Sequence, residues 1–143
     1  MIVKQVSVFL EDRAGRLAEV TGILADHNVN IRALSLADSA DFGILRLIVD
    51  DVERAKGILK KEGMTVGETD VVAVEVPDRP GGLAHLLQVF KDENVNVEYM
   101  YAFVRAPSRS AVMIFRFEDP QGAVEVLQAR GIRTLPGAEL YHM

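Results

Sequence analysis

From residue 3 to residue 10 apolar side chains fall on alternate positions, with Val6, Val8 and Leu10 on one side. This is the period-two pattern of a half-buried strand. Residues 11–16 break it. Asp12 has the chemistry of a helix N-cap, and Gly15 has the backbone freedom of a tight turn. Leu17, Val20, Ile23 and Leu24 then recur at helical spacing up to His27, which predicts a helix with one apolar stripe. Asn28 stands where that helix would end, and asparagine tolerates the left-handed cap better than most residues. Residues 31–36 and 43–49 read as two further strands, joined by a turn over 38–41. Val52, Ala55, Ile58 and Leu59 share a helical face within residues 52–62, and Gly63 stops the run. A short strand is expected over residues 65–69.

The same order then returns. Residues 71–76 form a strand with Val72, Val74 and Val76 on one face. A helix over 83–92, strands over 97–103 and 111–118, a helix over 121–130 ended by Gly131, and a last strand over 133–141 complete the series. The repeat is also visible residue by residue. DRAGRLAEVTGILADHNVNI (12–31) reappears as DRPGGLAHLLQVFKDENVNV (78–97), with nine of twenty positions identical at an offset of 66. Average residue usage would match about one or two. Ala55 aligns with Ala123 at an offset of 68, so two residues are added near residues 107–110. A surface hairpin accommodates such an insertion at little cost.

Each half is therefore βαββαβ. Right-handed crossovers at both β-α-β connections give four antiparallel strands with two helices on one face. The expected class is α+β: two ferredoxin-like units, residues 1–69 and 70–143, packed side by side.

Composition narrows the chemistry. Of 143 residues 49% are hydrophobic and 26% charged, ordinary for a soluble globular chain. No run approaches the roughly twenty apolar residues of a membrane span. The opening MIVKQVSVFLEDR lacks the basic flank and apolar core of a signal peptide, so a cytoplasmic protein without a membrane partner is expected. The absence of cysteine excludes disulfides, zinc–thiolate sites and cysteine nucleophiles. A net charge of −5 with sixteen scattered basic residues gives no footprint for nucleic acid. His27, His85 and His142 are too far apart for a local metal motif. Tyr99, Tyr101 and Phe103 alternate on one strand face, which suggests sheet packing or an interface before any aromatic pocket. Asp38, Asp41, Glu118 and Asp119 flank strand ends without forming an acid–base pair, and Ser108 and Ser110 have no partner histidine. There is no phosphate-binding loop and no nucleophile elbow. No catalytic constellation and no cofactor are expected.

The chemistry that remains lies in the duplicated turn. An acidic residue, a turn, a glycine and a hydrophobic helix, followed about thirteen residues on by Asn-Val-Asn-Ile, resemble the ACT-domain family. The matching stretches are DRAGRLAEV with NVNI and DRPGGLAHL with NVNV. The second copy holds the family's Arg-Pro-Gly form, while the first has Ala14 in place of proline. The resemblance covers essentially the whole chain and implies amino-acid binding and regulation of an enzyme of amino-acid metabolism. It also marks the candidate ligand residues. In the first copy these are Asp12, Arg13, Ala14, Gly15, Arg16, Leu17, Asn30 and Ile31. In the second they are Asp78, Arg79, Pro80, Gly81, Gly82, Leu83, Asn96 and Val97.

The residue types fit that reading. A free amino acid needs donors for its carboxylate and acceptors for its ammonium. Exposed amides at a helix start favour an anion through hydrogen bonds and the helix dipole, and Gly15 and Gly81 let them come close. Asp12, Asp78, Asn30 and Asn96 offer oxygens to an ammonium. Arg13 and Arg79 suit a ligand carboxylate or a surface salt bridge. Arg16 becomes Gly82 in the second copy, so the two sites need be neither equal in affinity nor alike in ligand. Ten helical residues rise about 15 Å, which separates the Asp12 turn from Asn30 within one unit. Two units with antiparallel first helices would pair each turn with the other's asparagine: Asp12, Arg13 and Gly15 with Asn96, and Asp78, Arg79 and Gly81 with Asn30.

The sequence thus points to a non-catalytic regulatory protein with a small amino-acid ligand and an amino-acid biosynthetic enzyme or regulator as partner. A homodimer is expected, because an isolated unit covers only one face of its sheet. The alternatives are a regulatory subunit that holds an enzyme by protein contact without its own ligand, and a small enzyme on the same fold.

Overall fold

The structure is a computed structural model that describes residues 1–38, 42–103 and 110–141. Most of the expected 38–41 turn and of the insertion near 107–110 lies outside the described residues, as do Asp41, Ser108 and His142. The chain divides into two compact units, Lys4–Thr69 and Met1–Val3 with Asp70–Met143.

The first unit contains β1 (Val3–Glu11), α1 (Arg16–Asp26), β2 (Ile31–Asp38), β3 (Phe42–Val49) and α2 (Val52–Lys61), followed by β4 (Thr65–Pro77). Its strands run in the order β2-β3-β1-β4, and β3 is antiparallel to both β1 and β2. Val6, Val8 and Leu10 of β1 and Leu45, Leu47 and Val49 of β3 face Val20 and Leu24 of α1 and Ala55 and Leu59 of α2. All ten are buried. Each valine or leucine among them contributes about 1.5–3 kcal/mol when withdrawn from water. The alternating apolar positions of the sequence are this core.

The second unit repeats the plan with the last residues of β4, then α3 (Gly82–Asp92), β5 (Val97–Ala102), β6 (Ser110–Phe117), α4 (Pro120–Ala129) and β7 (Thr134–Leu135). A short α5 (Gly137–Tyr141) follows. β6 is antiparallel to β4 and β5, and β7 is antiparallel to β4. The core is aromatic where the first is aliphatic. Phe90 meets the edges of Phe115 and Phe117 at centroid distances of 5.4 and 5.1 Å, a favoured geometry for aromatic rings. The equivalent first-unit residues are Leu24, Leu47 and Val49.

Both first helices of the repeat end as expected. Asn28 and Asn94 adopt φ of 59° and 56°. The reversal returns the next amide to the helix, Val29 N–H to the Leu24 carbonyl at 2.9 Å and Val95 N–H to the Phe90 carbonyl at 2.8 Å.

Several expectations are corrected. The strands expected over 65–69 and 71–76 are one continuous strand, β4, because no turn residue interrupts Glu68-Thr69-Asp70. The expected last strand over 133–141 is only Thr134–Leu135. Pro136 offers no N–H to the ladder, and its carbonyl accepts instead from the Glu139 and Leu140 amides, both at 3.1 Å, starting α5. Leu140 is then fully buried.

Candidate functional site

The duplicated turn has the same backbone in both copies. Arg13 N–H donates to the Glu11 carbonyl at 2.9 Å, and Arg79 N–H to the Pro77 carbonyl at 3.0 Å. Gly15 and Gly81 follow at φ of 90° and 87°, a left-handed conformation that a side chain would strain. Each glycine is the N-cap of its helix, and no side chain caps either one. Asp12 is therefore not the cap that its residue type suggested: the chain makes a further turn before the helix begins, which carries Asp12 out of reach. The second helix of each unit contrasts with this. Asp51 accepts from Arg54 N–H and Asp119 from Gly122 N–H, both at 3.1 Å. In each unit the helix that follows the glycine turn lacks a capping side chain, and the other has one.

Asp12, Arg13, Arg16 and Leu17 line a cleft of about 100 Å³, joined by Leu10, Glu11, Leu36, Asp38 and Gly43. Ala14 and Gly15 shape the turn without lining it. Arg13 is 55% exposed and bonds through Nε to Glu11 Oε2 at 3.3 Å, the surface-salt-bridge role. Arg16 differs. Its side chain is 15% exposed and bonds through Nη1 to Glu19 at 2.8 Å. Its Nε is buried without a hydrogen-bond partner.

In the second unit Asp78, Arg79, Pro80 and Gly81 are exposed, and Leu83 packs against the core. Gly82 is buried, and a Cβ there would stand 2.1 Å from the Pro77 carbonyl oxygen. No side chain fits that position.

The asparagines lie at the far end of the first helix in each unit. Asn30 shares a second cleft with Ala25, Asn28, Val29 and Asp50. The Asn30 backbone N–H donates to Asp50 Oδ1 at 2.9 Å, and the Asp50 backbone N–H donates to the Asn30 backbone carbonyl at 3.1 Å. Asn96 shares the backbone bond, with the Glu118 N–H donating to its backbone carbonyl at 3.2 Å, but its link to the Glu118 carboxylate is made by the side chain, Nδ2 donating to Oε2 at 3.3 Å. The cleft there is about 320 Å³, lined by Glu93, Asn94, Asn96, Glu118 and Asp119 among others. No turn residue lines either asparagine cleft. Ile31 and Val97 pack against the two cores.

Sequence reasoning did not single out Asp50 and set aside Glu118 and Asp38 as strand-end residues, although Asp50 and Glu118 bond to the asparagines and Asp38 lines the Arg16 cleft. The available signal was their recurrence at strand ends, where acidic residues are common for other reasons. Among the described residues no group of three or more His, Cys, Asp or Glu could hold a metal ion, and no helix is long and apolar enough to cross a membrane.

Two glycine turns, two Asn-Val-Asn segments and two ferredoxin-like units define a tandem-domain architecture, and the family comparison gives it a name. The model for the ACT domain pair matches residues 1–143, and the chain belongs to that family. A protein of Bacteroides thetaiotaomicron with a known crystal structure is 41% identical, with 100% of this chain and 98% of that one covered at a TM-score of 0.93. The ligand-free regulatory subunit of aspartate kinase from Thermus thermophilus shares the fold at 18% identity and a TM-score of 0.62, covering 88% of this chain and 91% of that one. Aspartokinase III of E. coli, solved with lysine and aspartate, shares it at 20% identity and a TM-score of 0.52, with 90% of this chain and 31% of that one covered. A comparison with curated proteins gives no match.

Proposed function

We propose that this ACT domain pair is a non-catalytic regulatory protein that binds a small amino acid at its glycine turns. The observation that carries the reading is the contrast in capping: Gly15 and Gly81 start helices that no side chain caps, whereas Asp51 and Asp119 cap the other two. Helix-start amides without a side-chain acceptor are a ready site for a carboxylate. Carboxylates for an ammonium stand beside the first turn at Asp12 and Asp38. Regulatory subunits of aspartate kinase share the fold, which supports an enzyme or regulator of amino-acid metabolism in the cytoplasm as the receiver of the signal. Binding would shift the protein toward the state the ligand prefers, by no more than its difference in affinity for the two states.

The test is a thermal-shift screen of the full chain against the twenty standard amino acids. A ligand at one hundred times its dissociation constant adds about 2.7 kcal/mol, a clear rise in Tm. A flat response to all twenty, confirmed by calorimetry, sinks the reading. The finer version, in which Asn96 serves the Asp12 turn and Asn30 the Asp78 turn, has its own check. Weakened binding at the first turn in Asn96→Ala supports it, and unchanged binding there ends it.

One observation favours a second reading, regulation by protein contact without a ligand. Phe9 and Phe42 are 44% and 53% exposed on neighbouring strands β1 and β3, on the face away from the helices. Co-purification of an enzyme with the chain, lost in Phe42→Ser and unaffected by any amino acid, would favour it. A second copy of the chain is the partner proposed at edge strand β2, where Leu34 and Leu36 are 49% and 52% exposed. An apolar edge is a template for strand pairing.

A further inference from the structure

We infer that α5 is a strap fastened to the second unit by an ionic clasp at Arg133, and that ionic strength sets how often it opens. The inference is independent of whether the glycine turns bind a ligand.

Pro136 ends β7, and the helix that follows has five residues, Gly137–Tyr141. A helix so short has no stability of its own in water, so side chains must hold it in place. Leu140 is fully buried. The Tyr141 ring folds back over Gly137, where a Cβ would stand 3.0 Å from Cε2. Arg133, just before β7, then ties the helix to the sheet. Its Nη1 donates to Glu75 of β4 and its Nη2 to Glu139 of α5, both at 2.8 Å. The Arg133 side chain is 58% exposed. Ion pairs in that setting are weak and are screened by salt, and α5 inherits their sensitivity.

The first unit has no counterpart. At the offsets of 68 and 66 that relate the two copies, Arg133 aligns with Thr65 and Glu75 with Phe9. The chain after Thr65 runs on as the long strand β4 instead of turning at a proline. The strap is therefore an addition to the repeated unit. A segment held by one buried leucine and a solvent-exposed clasp lies at the low end of local stability. It opens while β4 and β6, paired through Val72 and Phe115, stay closed. Opening uncovers Leu140 and the surface beneath it.

Amide exchange of the full chain, followed by NMR at about 0.01 M and about 1 M sodium chloride, tests this. Between these the screening length falls from about 30 Å to about 3 Å. The Glu139 and Leu140 amides, which donate to the Pro136 carbonyl, should exchange several-fold faster in high salt, while Val72 and Phe115 keep their rates. Arg133→Gln should show the fast rate already in low salt and lose the salt response. Arg130→Gln, which breaks the ion pair with Glu93 elsewhere in the unit, should retain it. Leu140→Ala should speed exchange in α5 at both salt concentrations and leave Val72 and Phe115 protected. Exchange of Glu139 and Leu140 as slow as that of Val72 and Phe115 would overturn the inference. So would a wild-type strap indifferent to salt, or a salt response that survives Arg133→Gln.

Discussion

Position 82 shows how much one side chain can matter. Gly82 sits inside the first turn of α3, where alanine would ordinarily help by about 1 kcal/mol. The Cβ it would add lies 2.1 Å from a backbone oxygen, and overpacking of that kind costs about 1–3 kcal/mol. The clash wins, so Gly82→Ala should lower stability in urea unfolding. Gly57, in the middle of α2, is the control: a Cβ there meets nothing within 4 Å. Gly57→Ala should raise stability by about 0.5–1 kcal/mol. An increase in both variants would show that propensity alone governs them. At this scale the sequence is partly legible. Gly15, Gly81, Asn28 and Asn94 announce their backbone by type, because few other residues accept positive φ. The partial burial of Arg16 does not announce itself, since nothing in one chain position reveals what packs over it.

Among the elements, the helix starts separate chemistry from support. Asp51 and Asp119 are caps, and replacing either by alanine should cost about 1 kcal/mol. Asp12 resembles a cap in sequence but makes no cap bond, so Asp12→Ala should change stability by less than about 0.5 kcal/mol. Equal losses for Asp12→Ala and Asp51→Ala in thermal unfolding would contradict this assignment. Strand and helix positions were legible wherever one face is buried, because the apolar period must match the element period. The fusion of two expected strands into β4, and the shortening of the last strand to Thr134–Leu135, were not. Alternating residues satisfy a strand equally well whether or not the chain pauses at residue 70, and only the neighbouring strand decides. Past Leu135, Pro136 and the burial of Leu140 override the same alternation.

For the whole molecule, the proposed second copy at β2 leads to a test in solution. Leu34→Lys should convert a dimer to a monomer in size-exclusion chromatography with light scattering, because charges on an edge strand oppose pairing. An unchanged mass would rule out that edge as the contact. Leu34 does not line the cleft beside the first glycine turn, so amino-acid binding proposed there should survive the change.

Two kinds of information are divided across these scales. The sequence alone determined that the chain is a duplicated βαββαβ unit with a glycine turn after each first strand. Periodicity, positive-φ residues and internal repetition are local properties that survive without coordinates. The replacement of Arg16 by Gly82 was also legible there, but only tertiary structure decided what surrounds each of the two positions. Whether Arg16 lines a cleft with Asp38 and Leu36, and whether Pro77 denies Gly82 a side chain, depend on residues brought together from separate elements. The free energy of a buried charge is set by those neighbours and by the water they exclude, and no spacing along the chain records them.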